Sequence, residues 1–345
     1  MYNRCSFHTQ LNSSVLIRLT VFPEPSCFTK IPIIRDHMTT TTLDTSSKET
    51  TIVIALISAM LVWGSSWISG KIIADMAPSQ VTVFYRISLA ALSMLPTLYF
   101  MQKFKLIELR YSNKALLWSL PAGVLMAVYN QFFFVGLVDG LPGKGGMLVT
   151  TTNPVFTFML SFLIFRMTLS TKQILGLVFG LIGGLLMIEV WRFNAAEIFA
   201  SGNAFFLLAS ITWAALTLIS KQGTKFSDFL TFSTLMYLWA TLLSYIFAYK
   251  YEPLTNITSY SSTYWYHMLY LSIIVISIAT TIFFLATQKL GANRSSSFIF
   301  IVPVTAMGLS VWYFAEQLSL AVSVGGGFAL CAVYLLNQPA KSKQD

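Results

Sequence analysis

Ten stretches of about 20 mainly apolar residues, joined by short charged connections, dominate this sequence of 345 residues. They run over 52–73, 79–101, 115–138, 143–165, 172–190, 201–221, 229–249, 264–288, 295–314 and 320–337. A helix of that length covers the roughly 30 Å hydrocarbon core of a bilayer, where backbone N–H and C=O groups have to bond within the segment. The pattern predicts an all-α integral membrane protein with ten transmembrane helices. Composition points the same way, since 55% of residues are hydrophobic and 10% charged, against about 25% charged in a soluble domain. So few charges cannot solvate a globule, which argues against a soluble enzyme, a disordered protein and a nucleic-acid binder. Cys5, Cys27 and Cys331 are widely scattered and match no metal-ligand spacing, so neither a disulfide framework nor a metal or cofactor site is expected.

Residues 1–51 differ from the rest. They hold Pro23, Pro25, Pro32 and a Thr run over 39–42, and Arg18 interrupts their apolar cluster, leaving it too short for a signal-peptide core. Two readings stand: an over-extended reading frame whose true start is Met38, or a disordered cytoplasmic tail. Mass spectrometry of the mature amino terminus separates them. Residues 338–345 read as a second cytoplasmic tail.

Orientation follows from Lys and Arg in alternate loops. With the amino terminus inside, the inner side holds Lys103, Lys105, Arg110, Lys114, Arg166, Lys172, Lys221, Lys225, Lys289, Arg294, Lys341 and Lys343, against Lys71, Lys144, Arg192 and Lys250 outside. Both termini are therefore expected in the cytoplasm, with the chain in a plasma (inner) membrane. Most of the net charge of +9 is then a topology code rather than the mark of an acidic partner.

The two halves also repeat. Trp63-Gly-Ser-Ser-Trp67 with Lys71 aligns with Trp213-Ala-Ala-Leu-Thr217 with Lys221, at an offset of 150. Asn153-Pro154-Val-Phe in the fourth stretch aligns with Val302-Pro303-Val-Thr in the ninth at an offset of 149, which also brings Leu169-Ser170 onto Leu318-Ser319 and Gly176 onto Gly325. Five spans per half is an odd number, so the halves, 52–190 and 201–337, enter the membrane with opposite orientation. Two inverted five-helix repeats are an architecture of secondary transporters.

Ten spans as five plus five, the Trp63-Gly64-Ser65-Ser66-Trp67 element, Phe84-Tyr85-Arg86 early in the second span, and prolines in the fourth and ninth resemble the EamA-type branch of the drug/metabolite transporter superfamily over about residues 50–338. That resemblance implies a permease, commonly an exporter of amino acids and other small metabolites, with a central cavity between the halves. The family's acidic residue near the end of the ninth helix matches Glu316; at the equivalent place in the first half stands Phe165-Arg166-Met167, so the first acid is missing.

Polar side chains inside a bilayer are costly and usually face a bundle interior or a watery cavity. Trp63, Ser66, Trp67 and Gly70 share one face of the first helix; Thr150, Asn153, Thr157 and Ser161 share one face of the fourth; Ser210, Trp213 and Thr217 line up on the sixth; Tyr129, Asn130 and Gln131 are adjacent on the third. These stripes read either as walls of a substrate cavity, offering aromatic surface and uncharged donors and acceptors, or as interhelical packing contacts. Arg86 sits well inside the second span. It either offers its planar fork to a substrate carboxylate or snorkels to the interface and bonds loop carbonyls. Lys71 reads as an interfacial anchor.

No Asp or Glu falls in the middle of any span, because Asp75, Asp139, Glu189 and Glu316 all stand at ends. Proton-driven export of cationic drugs needs an embedded carboxylate for which proton and substrate compete, so facilitated diffusion or gradient-driven exchange fits better. No catalytic constellation survives the test of structural context, and an enzyme is not expected. The sequence reads as a permease that exports a small metabolite, foremost an amino acid, by alternating access. The alternatives are an organic-anion or phosphate-ester exchanger and a non-transporting sensor or scaffold. Expected partners are a small-molecule substrate and the lipid bilayer, with no nucleic acid; a monomer or a homodimer would fit.

Overall fold

A computed structural model describes residues 37–104, 108–139, 142–166, 170–187, 189–192, 202–314 and 319–337. The chain divides into a first unit, Met1–Ser46, and a second, Ser47–Asp345; within the first, the described residues 37–46 are helical. Glu316 and residues 1–36 lie outside the described residues, as do the side chains of Asp139, Lys144 and Arg192.

The described residues form helices and turns, with no strand among them. The helices are α1 (His37–Ala74), α2 (Ser79–Lys103), α3 (Asn113–Asp139), α4 (Pro142–Phe165), α5 (Thr171–Met187), α6 (Asn203–Gly223), α7 (Phe229–Ala248) and α8 (Ser262–Leu269). A π-helical stretch, Tyr270–Thr280, joins α8 to α9 (Thr281–Leu290); α10 (Ala292–Ser297) leads through a 3₁₀ turn, Phe298–Phe300, into α11 (Ile301–Phe314), and α12 (Leu320–Leu336) follows. Seven helical segments among the described residues are long and apolar enough to cross a membrane, the last being the composite Ser262–Leu290; Thr171–Met187 and Ser323–Leu336 are apolar but shorter. The ten expected spans therefore stand at seven by length. α5 and α12 have 17 residues each, and the ninth stretch is broken by its 3₁₀ turn.

Helix α1 begins at His37, ahead of the start expected at 52. No Gly or Pro stands between Met38 and Trp63, and extending an existing helix is far cheaper than nucleating a new one.

Two repeat-related lysines make the same contact. Lys71 Nζ donates to Leu137 O at 3.0 Å, near the carboxyl end of α3, while Lys221 Nζ donates to Gln288 O near the carboxyl end of α9. Each ammonium thus satisfies a carbonyl that a helix end leaves without an intrahelical partner, where the helix dipole also favours a cation. Lys71 keeps Asp75 at 3.4 Å as well.

Helices α5 and α12 run antiparallel and touch through glycine. A Cβ on Gly176 would stand 2.8 Å from Leu336 Cγ, one on Gly325 would stand 2.7 Å from Met187 Cγ and 2.7 Å from Gly183 O, and one on Gly183 would stand 2.8 Å from Gly325 O. With the 149-residue offset, the Gly176–Leu336 and Gly325–Met187 contacts are equivalents of each other.

Asp228 anchors one connection. Its Oδ1 caps α7 by accepting from Leu230 N at 3.1 Å and Thr231 N at 2.9 Å, and its Oδ2 accepts from Arg110 N at 2.9 Å. Asp228→Ala should lower stability by about 2 kcal/mol, the upper range for a lost N-cap because a third donor is orphaned too. The melting temperature in detergent reads this, and Asp228→Asn should recover the cap through its one amide oxygen but not the bond from Arg110 N.

Candidate functional site

Helices α1, α3, α4 and α6 bring their polar and aromatic stripes to one central cavity, to which α2 contributes Arg86. Its lining includes Trp63, Ser66, Trp67, Arg86, Tyr129, Asn130, Thr150, Asn153 and Trp213, nine of the residues singled out by sequence. The aromatic groups pack as a box. Trp63 meets Trp213 edge to face at 5.0 Å between ring centroids, Tyr129 meets Trp213 at 4.6 Å, and Trp67 meets Phe133 at 4.7 Å. Its volume is about 50 Å3, room for a few water molecules.

Several lining side chains are held by bonds that fix their orientation. Asn130 Oδ1 accepts from Arg86 Nη1 at 3.1 Å, and Asn130 Nδ2 donates to Met126 O at 2.8 Å. Asn153 Nδ2 donates to Ser210 O at 2.9 Å, which fixes the amide and turns its Oδ1 away from that carbonyl. Ser66 Oγ donates to Trp63 O at 2.7 Å.

Three buried polar atoms of the lining have no partner: the donors Arg86 Nε and Trp213 Nε1, and the acceptor Asn153 Oδ1. A buried polar group without a partner costs roughly 1–3 kcal/mol, and native structures contain few of them. The three residues that carry them line one cavity, and together they leave two donors and one acceptor without a partner. Arg86 is 5% exposed, so it does not snorkel. Its guanidinium carbon lies 5.4 Å from the Phe133 centroid and 5.3 Å from that of Phe134, and among the described residues it pairs with no carboxylate.

Gln131, Thr157 and Thr217 are absent from this lining. Gln131 is turned about 100° from Asn130 along the helix and donates to Ser79 Oγ at 3.0 Å. Thr157 and Thr217 are fully buried and donate to carbonyls one turn back, Asn153 O at 3.0 Å and Trp213 O at 2.9 Å. Both stand between the central cavity and a second one of about 590 Å3, whose lining includes Ser161, Lys221, Lys225, Arg294 and Glu49. In this second cavity Arg294 Nη1 contacts Glu49 Oε1 at 2.7 Å, and Ser161 Oγ donates to Asn293 Oδ1 at 2.5 Å.

The lining also includes Val275, Ile276 and Thr280 from the π-helical stretch, together with Met126, Phe133, Val149, Ile299 and Val302. Wide turns let Ser277 Oγ and Thr280 Oγ1 donate five residues back, to Ser272 O at 3.1 Å and Val275 O at 3.0 Å. Such π segments often occur at functional sites.

The sequence matches the description of the EamA-like transporter family twice, over residues 50–189 and 200–338. The chain belongs to that family. It is 20% identical to an uncharacterized transporter, YoaV, of Bacillus subtilis, over 82% of this chain and 96% of the relative. It is 24% identical to a WAT1-related chloroplastic protein of Arabidopsis thaliana, over 82% of this chain and 69% of that protein. A probable amino-acid metabolite efflux pump of Salmonella typhimurium shares 22% identity over 80% of this chain and 91% of its own length. One crystal structure superposes with a TM-score of 0.63 at 14% identity, covering 83% of this chain and 97% of the other, which shows a shared fold. This EamA-like chain is accordingly a multi-pass membrane protein of the drug/metabolite transporter superfamily, whose relatives are transporters rather than enzymes.

Proposed function

We propose that this EamA-like protein is a permease that exports a small metabolite, foremost an amino acid, by alternating access through the central cavity. The observation that carries this reading is that Arg86, Trp213 and Asn153, whose Nε, Nε1 and Oδ1 have no partner, line one cavity with an aromatic box. An amino acid complements that set: its carboxylate accepts from the two donors, its ammonium donates to Asn153 Oδ1 and lies against ring faces, and its side chain contacts Trp63, Trp67 and Tyr129. The substrate-binding set is Trp63, Ser66, Trp67, Arg86, Tyr129, Asn130, Thr150, Asn153 and Trp213, with Gln131, Thr157 and Thr217 acting behind or beside it.

The architecture behind this reading is ten spans in two inverted repeats, 52–190 and 201–337, with both termini cytoplasmic in a plasma membrane. Its support is the doubled family match, the equivalent Lys71 and Lys221 contacts, and the antiparallel α5–α12 pair whose glycine contacts map onto each other. On this reading the 590 Å3 cavity is the inner vestibule. Thr157 and Thr217 form the zone that closes between it and the site, and α5 with α12 is the support against which the other helices rock.

A thermal-shift screen of purified protein against amino acids, sugars, nucleosides and polyamines tests the substrate class, because a ligand bound by the folded state raises its melting temperature. Amino acids should shift it and polyamines should not, since the described cavity lining holds a cation and no acid. Stabilisation by polyamines alone would contradict the reading.

A further inference from the structure

We propose that the substrate's carboxylate is the travelling counter-ion of Arg86, so that the carrier reorients readily when loaded and slowly when empty, and transport runs chiefly as exchange. This rests on the permease reading and adds to it the mode of coupling. Arg86 is the one charged residue among those described as lining the cavity. Its Nη1 is engaged by Asn130 Oδ1, which leaves the edge of the fork bearing Nε to a ligand, and Nε has no partner. The described ion pairs engage acids elsewhere, Asp75 with Lys71 and Glu49 with Arg294. Phe133 and Phe134 lie against the guanidinium; ring faces attract a cation but do not neutralise it.

Alternating access passes through a closed state, and closing expels water. With no substrate aboard, the cavity closes on an unpaired charge in a dry, low-dielectric space, which is the costly arrangement for a buried ion. With a carboxylate on the fork, the same closure buries a hydrogen-bonded ion pair whose two charges cancel. The empty return is therefore the slow limb of the cycle, and substrate on the far side relieves it by loading the carrier for the way back.

Proteoliposomes loaded with radiolabelled L-phenylalanine test this. Unlabelled L-phenylalanine outside should speed efflux at least about tenfold, the ratio expected when one limb carries an extra unpaired charge. Phenylalaninamide, which lacks the carboxylate, should not. Arg86→Met should reduce the stimulation to less than about twofold, and Arg86→Lys should keep much of it. Because the empty protein stores an unsatisfied charge, Arg86→Met without ligand should melt at or above the wild-type temperature. A fall of more than about 3 °C would make Arg86 a support of the fold and overturn the proposal. Equal efflux with and without external L-phenylalanine, or equal stimulation by the amide, would overturn exchange and leave the permease standing. Efflux no faster than from protein-free liposomes would overturn both.

Discussion

Replacing Trp213 by Phe will leave this protein folded and cut the proposed transport of amino acids about tenfold, while Trp213→Ala will damage fold and transport together. Trp213 stands at the centre of the aromatic box, with ring centroids of Trp63, Tyr129 and Phe283 at 5.0, 4.6 and 5.7 Å. A phenyl ring retains most of those contacts and removes the indole N–H, a donor without a partner. Losing one hydrogen bond that only the bound state makes is worth roughly 1.4 kcal/mol, a factor of about ten. Truncation to Ala opens a void at a residue 5% exposed and costs about 3–5 kcal/mol. Melting temperature and initial efflux rate, measured on both variants, separate the two effects. If Phe at 213 lowered the melting temperature as much as Ala and left efflux intact, Trp213 would be packing alone.

Gly183→Leu is expected to have a comparably large effect on stability. A Cβ at 183 would stand 2.8 Å from Gly325 O and 3.0 Å from Ala329 N, both backbone atoms of the facing helix that no rotamer change can move. Leu therefore has to push α5 and α12 apart, and overpacking of that kind costs about 3 kcal/mol or more. Gly327→Leu is the matched control on the same helix pair, since among the described residues no atom outside its own helical turn lies within 4 Å of a Cβ there; it should melt within about 1 °C of wild type, as expected for a substitution that meets no neighbour. Comparable losses from both variants would show that bulk in these helices, rather than the glycine contact, sets the cost.

The stripes on α1, α4 and α6 were legible because aromatic and polar groups in a helix recur every three or four residues, and that spacing fixes a shared face. Trp63, Ser66 and Trp67 reach the cavity together for this reason. The same rule breaks between α8 and α9, where the wide turns of Tyr270–Thr280 alter the period. Val275 and Ile276 sit in an unbroken apolar run that gives no signal at any period, and Thr280 stands outside the spacing of a regular helix. Gln131 shows the limit from the other side. It neighbours Asn130 in sequence, but one residue along a helix rotates the side chain by about 100°, far enough to reach Ser79 instead. Lone span lengths were least legible: α5 and α12 are short apolar helices whose partner is each other, and their close glycine contact depends on a tertiary pairing that no local pattern contains.

The most direct measurement is protein-dependent efflux of L-phenylalanine from proteoliposomes by wild type and by Asn153→Leu, which removes the vacant acceptor together with the Nδ2 donor to Ser210 O at nearly constant volume, with melting temperature as the control for that lost bond. Saturable efflux by wild type, at least about tenfold faster than by Asn153→Leu at equal reconstituted protein, is the expected result. Saturable efflux that Asn153→Leu leaves undiminished would place the solute path away from the central cavity and contradict the account.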